Sequence, residues 1–203
     1  MSPRVGLNRE AILDAAERLA DRDGYEALTL HAIAAAVGVR APSLYHHVRG
    51  FDAIRRGLHL RGLAARADAF EVASRERDRR SLVAACAYAQ RRAAQERPGV
   101  YAASQPSSHT PDTDDELHAA GERALGYLVT AMGELGLVGD DALHAVRVFR
   151  AAVHGFIELE SLGAFGMGID PDESFARLVE VLERGLTAAQ SHAESGDAAR
   201  VER

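Results

Sequence analysis

The side chains most able to do chemistry in this 203-residue sequence gather in one short stretch. Between residues 40 and 61, Arg40, Arg49, Arg55, Arg56 and Arg61 face a single acid, Asp52, with His46, His47 and His59 among them. A guanidinium is a planar, permanently charged fork that suits phosphate oxygens. All 24 basic residues are Arg and none is Lys, a choice that a coding bias toward Arg and Ala also explains. Bond-making chemistry is thin elsewhere. His154 and Glu158 stand at i,i+4, with Glu160 nearby, but such pairs ordinarily decorate helix surfaces, and no HExxH or second ligand cluster accompanies them. Cys86 on an apolar helical face reads as a small core residue. The sequence holds no P-loop, GxGxxG or GxSxG pattern. An enzyme is therefore not expected, and neither is a metal or a cofactor.

Charge divides the chain. Residues 1–62 hold nine arginines against seven acids, and the remainder is strongly acidic, for a formal net charge of −6. That total argues against indiscriminate coating of nucleic acid, while a basic head on an acidic body suggests one nucleic-acid face and another task for the rest. Apolar residues make up 47% and charged residues 27%, the composition of an ordinary globular protein. One cysteine forms no internal disulfide and excludes cysteine-rich zinc sites. No apolar run approaches the roughly 20 residues that span a bilayer. The N-terminus lacks the apolar stretch of a signal peptide. A cytoplasmic protein with no membrane partner is expected.

These side chains need a scaffold, and the composition predicts helix almost throughout. Ala, Leu, Glu and Arg dominate, and alternating strand formers are scarce. Asn8 reads as the cap of a first helix whose apolar pairs Ala11/Ile12, Ala15/Ala16 and Leu19/Ala20 run to Gly24. Thr29 caps a second, short helix through Leu30, Ile33, Ala34 and Val37, which Gly38 stops. Pro42 suits the first turn of a third, expected from Ser43 to about Val48 and closed by Gly50. Longer helices are expected over 51–75, 81–96, 114–136, 140–162 and 172–189. Pro98–Gly99 reads as a break, 100–113 as a turn plus a loop, and the polar tail 191–203 as frayed or disordered. The fold class is all-α. The expected domains are a head, 1–50, and a bundle of longer amphipathic helices, 51–190.

Residues 30–48, LHAIAAAVGVRAPSLYHHV, carry a specific pattern. Ala34 is small where two helices would cross, Gly38 sits at the turn, and Ile33, Val37, Val39 and Leu44 point into the angle between them. An alanine, a glycine four residues on and an apolar residue six beyond that is the spacing of a DNA-binding helix-turn-helix. Two core helices joined by a glycine turn rarely fill every one of these positions.

From Ala11 to Ile54 the sequence resembles the TetR family of transcriptional regulators. The opening helix, the Gly24–Tyr25 junction, the Thr-led second helix and the Ser43-Leu44-Tyr45 recognition helix occur in order. Where that family commonly carries a Lys beside the phosphate backbone, this chain has Phe51. Arg49, Arg55 and Arg56 are candidates to supply the charge. Farther on, Val153-His154-Gly155-Phe156 with Leu159-Glu160 and Asp172-Glu173-Ser174-Phe175 resembles a TetR subgroup named for a Trp-His-Gly motif, with Val153 in the Trp position.

The resemblance implies double-stranded operator DNA, a small-molecule effector and a second copy of the chain as partners, most often for repression. In a recognition helix the N-terminal residues face base edges. Here these are Arg40, Ala41, Pro42 and Ser43, followed by Tyr45 and His46. Arg40 would pair with a guanine edge or hold a phosphate, Ala41 and Pro42 would meet a thymine methyl, Thr29 and Tyr45 would hold phosphates through their hydroxyls, and Arg49 is a further DNA contact. His47 is expected to point back toward the bundle. Arg4 and Arg9 sit where an N-terminal arm could reach the backbone or minor groove, and for Arg4 a solvated, disordered tail is the expected state. The apolar faces Phe149, Val153 and Phe156 and Phe175, Leu178, Val179, Leu182 and Leu186 fit either intrachain packing or a dimer seam, and the resemblance favours the seam. It also implies a ligand pocket, for which Tyr88, Gln90, Tyr101, Tyr127, Met132, Arg150 and His154 are the candidates. A helical protein-interaction module that has lost DNA binding is the rival reading, and the basic cluster argues against it.

Overall fold

In the computed structural model residues 7–105, 114–166 and 168–201 are described, the last thirteen of them, 189–201, by backbone alone. Among the described residues every regular element is helical. Helix α1 spans Arg9–Asp23, and a 3₁₀ turn, Tyr25–Ala27, leads to α2, Leu30–Ala36, and α3, Ala41–Leu44. The long helices are α4 (Phe51–Glu76), α5 (Leu82–Glu96), α7 (Asp115–Glu134), α8 (Gly139–Ser161) and α9 (Pro171–Val201), with the short α6 (Pro98–Ala103) between α5 and α7.

Local chemistry sets most of these ends. The Asn8 side chain accepts from the Ala11 N–H at 2.8 Å and the Thr29 hydroxyl from the Ala32 N–H at 3.1 Å, satisfying donors that a helix N-terminus leaves open. Gly24 and Gly38 take positive φ where α1 and α2 stop, a conformation that costs a side-chain-bearing residue. Helix α6 replaces the expected turn. Pro98 opens it rather than breaking the chain, and Asp21 of α1 accepts from the Gly99 and Val100 N–H groups at 2.9 and 3.2 Å. Helix α9 continues through 191–201, where a frayed tail is expected from composition. Residues 202 and 203, like Arg4, lie outside the described residues.

The chain divides into two compact units. The first falls within Met1–Ala67 and Ala93–Arg123, the second within Asp68–Arg92 and Ala124–Arg203. The position near residue 50 read as a domain boundary thus falls inside the first unit. Its core joins Ile12, Leu13, Ala16, Leu19, Tyr25, Leu28, Ile33, Ala34, Leu44, Val48, Ile54 and Leu58. Helix α1 packs on α2 and α6, and α2 packs on α3. Gly62 of α4 lets α6 approach closely, since a Cβ there would sit 2.8 Å from Ser104 N and Val100 O.

In the second unit α8 packs on α9 around Met132, Phe149, Val153, Ile157, Phe175 and Val179, all buried. Arg91 of α5 is buried with them. It is forked onto Glu160 at the end of α8 and reaches Asp172 at 2.6 Å, with its guanidinium 4.9 Å from the Phe175 ring centre. Six residues assigned to a dimer seam, Phe149, Val153, Phe175, Val179, Leu182 and Leu186, are buried by their own chain. Within the protomer they lie in its own core, with Leu182 and Leu186 still 8% and 6% exposed.

Candidate nucleic-acid interface

The helix-turn-helix is assembled by its inner face. Ile33, Ala34 and Leu44 are at most 1% exposed, and the Val39 N–H donates to the Ala34 carbonyl at 3.0 Å across the turn. Alanine at 34 lets the two backbones meet there. With its inner face fixed in the core, the segment presents the remaining side chains to solvent. Arg40, Pro42, Tyr45, His46, His47 and Arg49 are exposed, Tyr45 at 60%, while Ala41 and Ser43 are partly exposed. Thr29 is exposed too, with its oxygen already accepting from α2, so toward a phosphate its hydroxyl has its proton to offer.

Two expectations change here. The regular helix covers four residues, Ala41–Leu44, and then gives way to turns in which the His47 and Val48 N–H groups both donate to the Leu44 carbonyl at 2.9 Å. His47 is exposed rather than turned back toward the bundle, because Leu44 and Val48 take the inward positions.

The arginines of 40–61 separate by their partners. Arg61 of α4 reaches Asp14 at 2.8 Å and Glu17 at 3.1 Å, and also pairs with Glu10, all on α1. Arg56 forks onto Asp114 and pairs with Glu116 at 2.6 Å. Arg55 lies 4.7 Å from the Phe51 ring centre and 3.9 Å from Glu26. Of the three candidates for the missing Lys, Arg55 and Arg56 thus face neighbours of their own, and Arg49 stands in the open. Among the described residues, the side chains of Arg40, Tyr45, His46, His47 and Arg49 make no hydrogen bond or ion pair within the chain. Exposed cations without carboxylates beside them have the electrostatics of a phosphate-binding surface. The signal that sequence reasoning missed is the run of acids on α1, Glu10, Asp14 and Glu17, spaced to face one arginine.

The pocket candidates fall in both units. Tyr101 is buried in the first unit, and the other six belong to the second. There Gln90 and Met132 are buried, Tyr88, Tyr127 and His154 are partly buried, and Arg150 is exposed. His154 Nδ1 stands 3.9 Å from Glu158, the surface pair that its spacing suggests. Among the described residues no group of three or more His, Cys, Asp and Glu is placed to hold a metal ion. No described helix is long and apolar enough to cross a membrane.

Comparison with known proteins agrees with this geometry. Residues 12–50 match the family model described as bacterial regulatory proteins of the tetR family. Residues 83–182, which include the Val153-His154-Gly155-Phe156 stretch, match one described as a tetracyclin repressor-like C-terminal domain. The chain is 33% identical to YobS of Bacillus subtilis over 92% of its own length and 96% of that protein. It is 34% identical to Rv0681 of Mycobacterium tuberculosis over 92% and 84%. Both are named uncharacterized HTH-type transcriptional regulators. A Rhodococcus protein of unknown function has the same fold, with TM-score 0.76 and 25% identity over 92% of this chain and all of that one. A TetR family transcription regulator from Marinobacter aquaeolei shares the fold at TM-score 0.60 and 20% identity, over 87% and 93%. With a helix-turn-helix at its head and relatives matched along nearly its whole length, this chain belongs to the TetR family of transcriptional regulators and is not an enzyme.

Proposed function

We propose that the protein represses transcription in the cytoplasm by binding a palindromic operator as a homodimer, and that a small molecule releases it. The observation that carries this reading is the open set Arg40, Tyr45, His46 and Arg49 on a helix-turn-helix whose inner face is buried. Residues 1–50 then act as the DNA-binding domain and 51–190 as the ligand-binding and dimerisation domain. Arg40, Ala41, Pro42 and Ser43 face base edges, and Thr29, Tyr45 and Arg49 hold phosphates. One head makes few base contacts, so tight binding needs two heads related by a two-fold axis, with half-sites one or more helical turns apart.

A dimer needs an outward apolar face. On α8 and its C-terminal cap, Val148, Ala152, Gly155, Leu159 and Leu162 recur at alternating steps of four and three, and Leu162 is 76% exposed. On α9, Leu178, Val181 and Gly185 continue the same spacing. Phe156 and Leu178, partly exposed, remain available to this face, where two copies would form a four-helix bundle. The effector site is assigned to the second unit, around Tyr88, Gln90, Tyr127, Met132 and His154. An effector acts only through its different affinities for the bound and released arrangements of the heads.

Selection of duplexes from a random DNA pool by the purified protein tests the reading. Enrichment of a palindrome is expected, with affinity that falls steeply as salt rises. A pool that emerges unenriched overturns it.

A further inference from the structure

The charge of this interface carries an inference that rests on the DNA-binding reading above. The chain has no Lys, and Arg55, Arg56 and Arg61 of the basic stretch lie against acids or a ring. The helix-turn-helix that carries the open Arg40 and Arg49 also carries three exposed imidazoles: His31 in the first turn of α2, and His46 and His47 in the turn after α3. Among the described residues none of the three imidazoles has a carboxylate within ion-pair distance or a hydrogen-bond partner.

The charged groups on the surrounding elements are accounted for. On α1, Glu10, Asp14 and Glu17 hold Arg61, Glu10 also meets Arg9 at 3.4 Å, Asp21 holds Arg97, Asp23 holds Arg22, and Arg18 is exposed. On the 3₁₀ turn, Glu26 faces Arg55. On α4, Arg56 is held by Asp114 and Glu116, and Asp52 is exposed in the first turn. On α3 and its turn stand Arg40, Tyr45 and Arg49. None of these acids pairs with His31, His46 or His47.

We infer that His31, His46 and His47 are titratable phosphate contacts, so that the affinity of this regulator for DNA rises as the solution becomes more acidic. Phosphate oxygens stabilise an imidazolium and not a neutral imidazole. Binding then takes up protons, and by linkage the affinity grows as pH falls through the range in which imidazoles gain charge. An interface built from arginines alone would ignore pH across that range. Each imidazole whose proton is held more tightly by one pK unit in the complex contributes up to about tenfold in affinity. His59, buried in the same unit, acts oppositely, because burial favours its neutral form and acid weakens the fold around it.

The test uses the full chain and a mixed-sequence duplex of about 30 base pairs, because phosphate contacts carry no sequence. Affinity is measured at low salt from about pH 8 to about pH 6, with the fold followed by circular dichroism. The expected result is tightening by about tenfold or more toward the acid end. The slope of log affinity against log salt should also steepen by roughly 0.9 for each contact added. The triple variant His31→Gln, His46→Gln, His47→Gln should bind with an affinity that no longer rises, while His118→Gln keeps the rise. A wild-type affinity that stays level across this range, or a triple variant that keeps the rise, overturns the inference and leaves the DNA-binding reading standing. Absence of binding at every pH removes both.

Discussion

Arg61 and Arg40 are the same side chain in one basic stretch, in opposite surroundings. Arg61 is held by Glu10, Asp14 and Glu17 and ties α4 to α1. Glu17 and Asp21 in turn hold Arg97 at the entrance to α6, so three helices of the first unit share one ion network. Arg40 meets no acid at all among the described residues. A basic residue becomes structural when carboxylates on a neighbouring helix come within reach, and stays available to a partner when they do not. Exposure matters less than that pairing, because many surface ion pairs contribute little to stability. A network that shares its carboxylates is worth more.

The comparison breaks most easily at the structural end. A Cβ at Gly99 would lie inside van der Waals contact of the Ala20 carbonyl carbon and the Asp21 nitrogen, both backbone atoms that have little room to yield. Gly99→Val should therefore cost about 3 kcal/mol or prevent folding, as read from denaturant unfolding. Retention of wild-type stability would mean that α1 and α6 do not pack as described.

Arg61→Ala should cost about 1 kcal/mol, since it leaves the partly buried Glu17 carboxylate beside the exposed Glu10 and Asp14. Arg40→Ala should shift stability by less than about 0.5 kcal/mol. Equal costs at the two positions would erase the distinction between them.

A third prediction concerns acid. The Arg56 guanidinium holds the Asp114 carboxyl down at about 2. A carboxyl with a depressed folded value stabilises the protein above its unfolded value, near 4, and loses that contribution as pH falls toward 2. Asp114→Asn should be less stable than wild type at neutral pH, and the difference should shrink between about pH 4 and pH 2. A gap that stays constant with pH would exclude this pairing.

The smallest effect is at Cys86. Burial pushes its thiol up to about 12. The native protein should then react with a thiol reagent only as fast as it unfolds, and rapid native labelling would place Cys86 outside the core.

How much of this was legible follows from how local each signal is. The caps at Asn8 and Thr29 and the stops at Gly24 and Gly38 depend on a few adjacent residues, and they fall where the sequence places them. Helix α6 escaped because Pro98–Gly99 resembles a break, and the acceptor that secures its first turn, Asp21, lies far back on α1. Arg56 and Arg61 read as an open basic patch because their acids are distant in sequence. The periodicity of Phe149, Val153, Phe175 and Val179 identifies a buried face and says nothing about which neighbour buries it. The recognition turn was readable because its spacing encodes the fold and its surface together. Its arginines could be told apart only once the carboxylates were in place.

The central claim is that the open side chains of the recognition turn, and not the paired arginines behind them, hold DNA. The double variant Arg40→Ala, Tyr45→Ala tests it directly when affinity for a selected duplex and unfolding midpoint are measured on the same preparation. Loss of affinity by about tenfold or more, with the midpoint nearly unchanged, is the predicted result. Full affinity in the folded double variant would contradict the account.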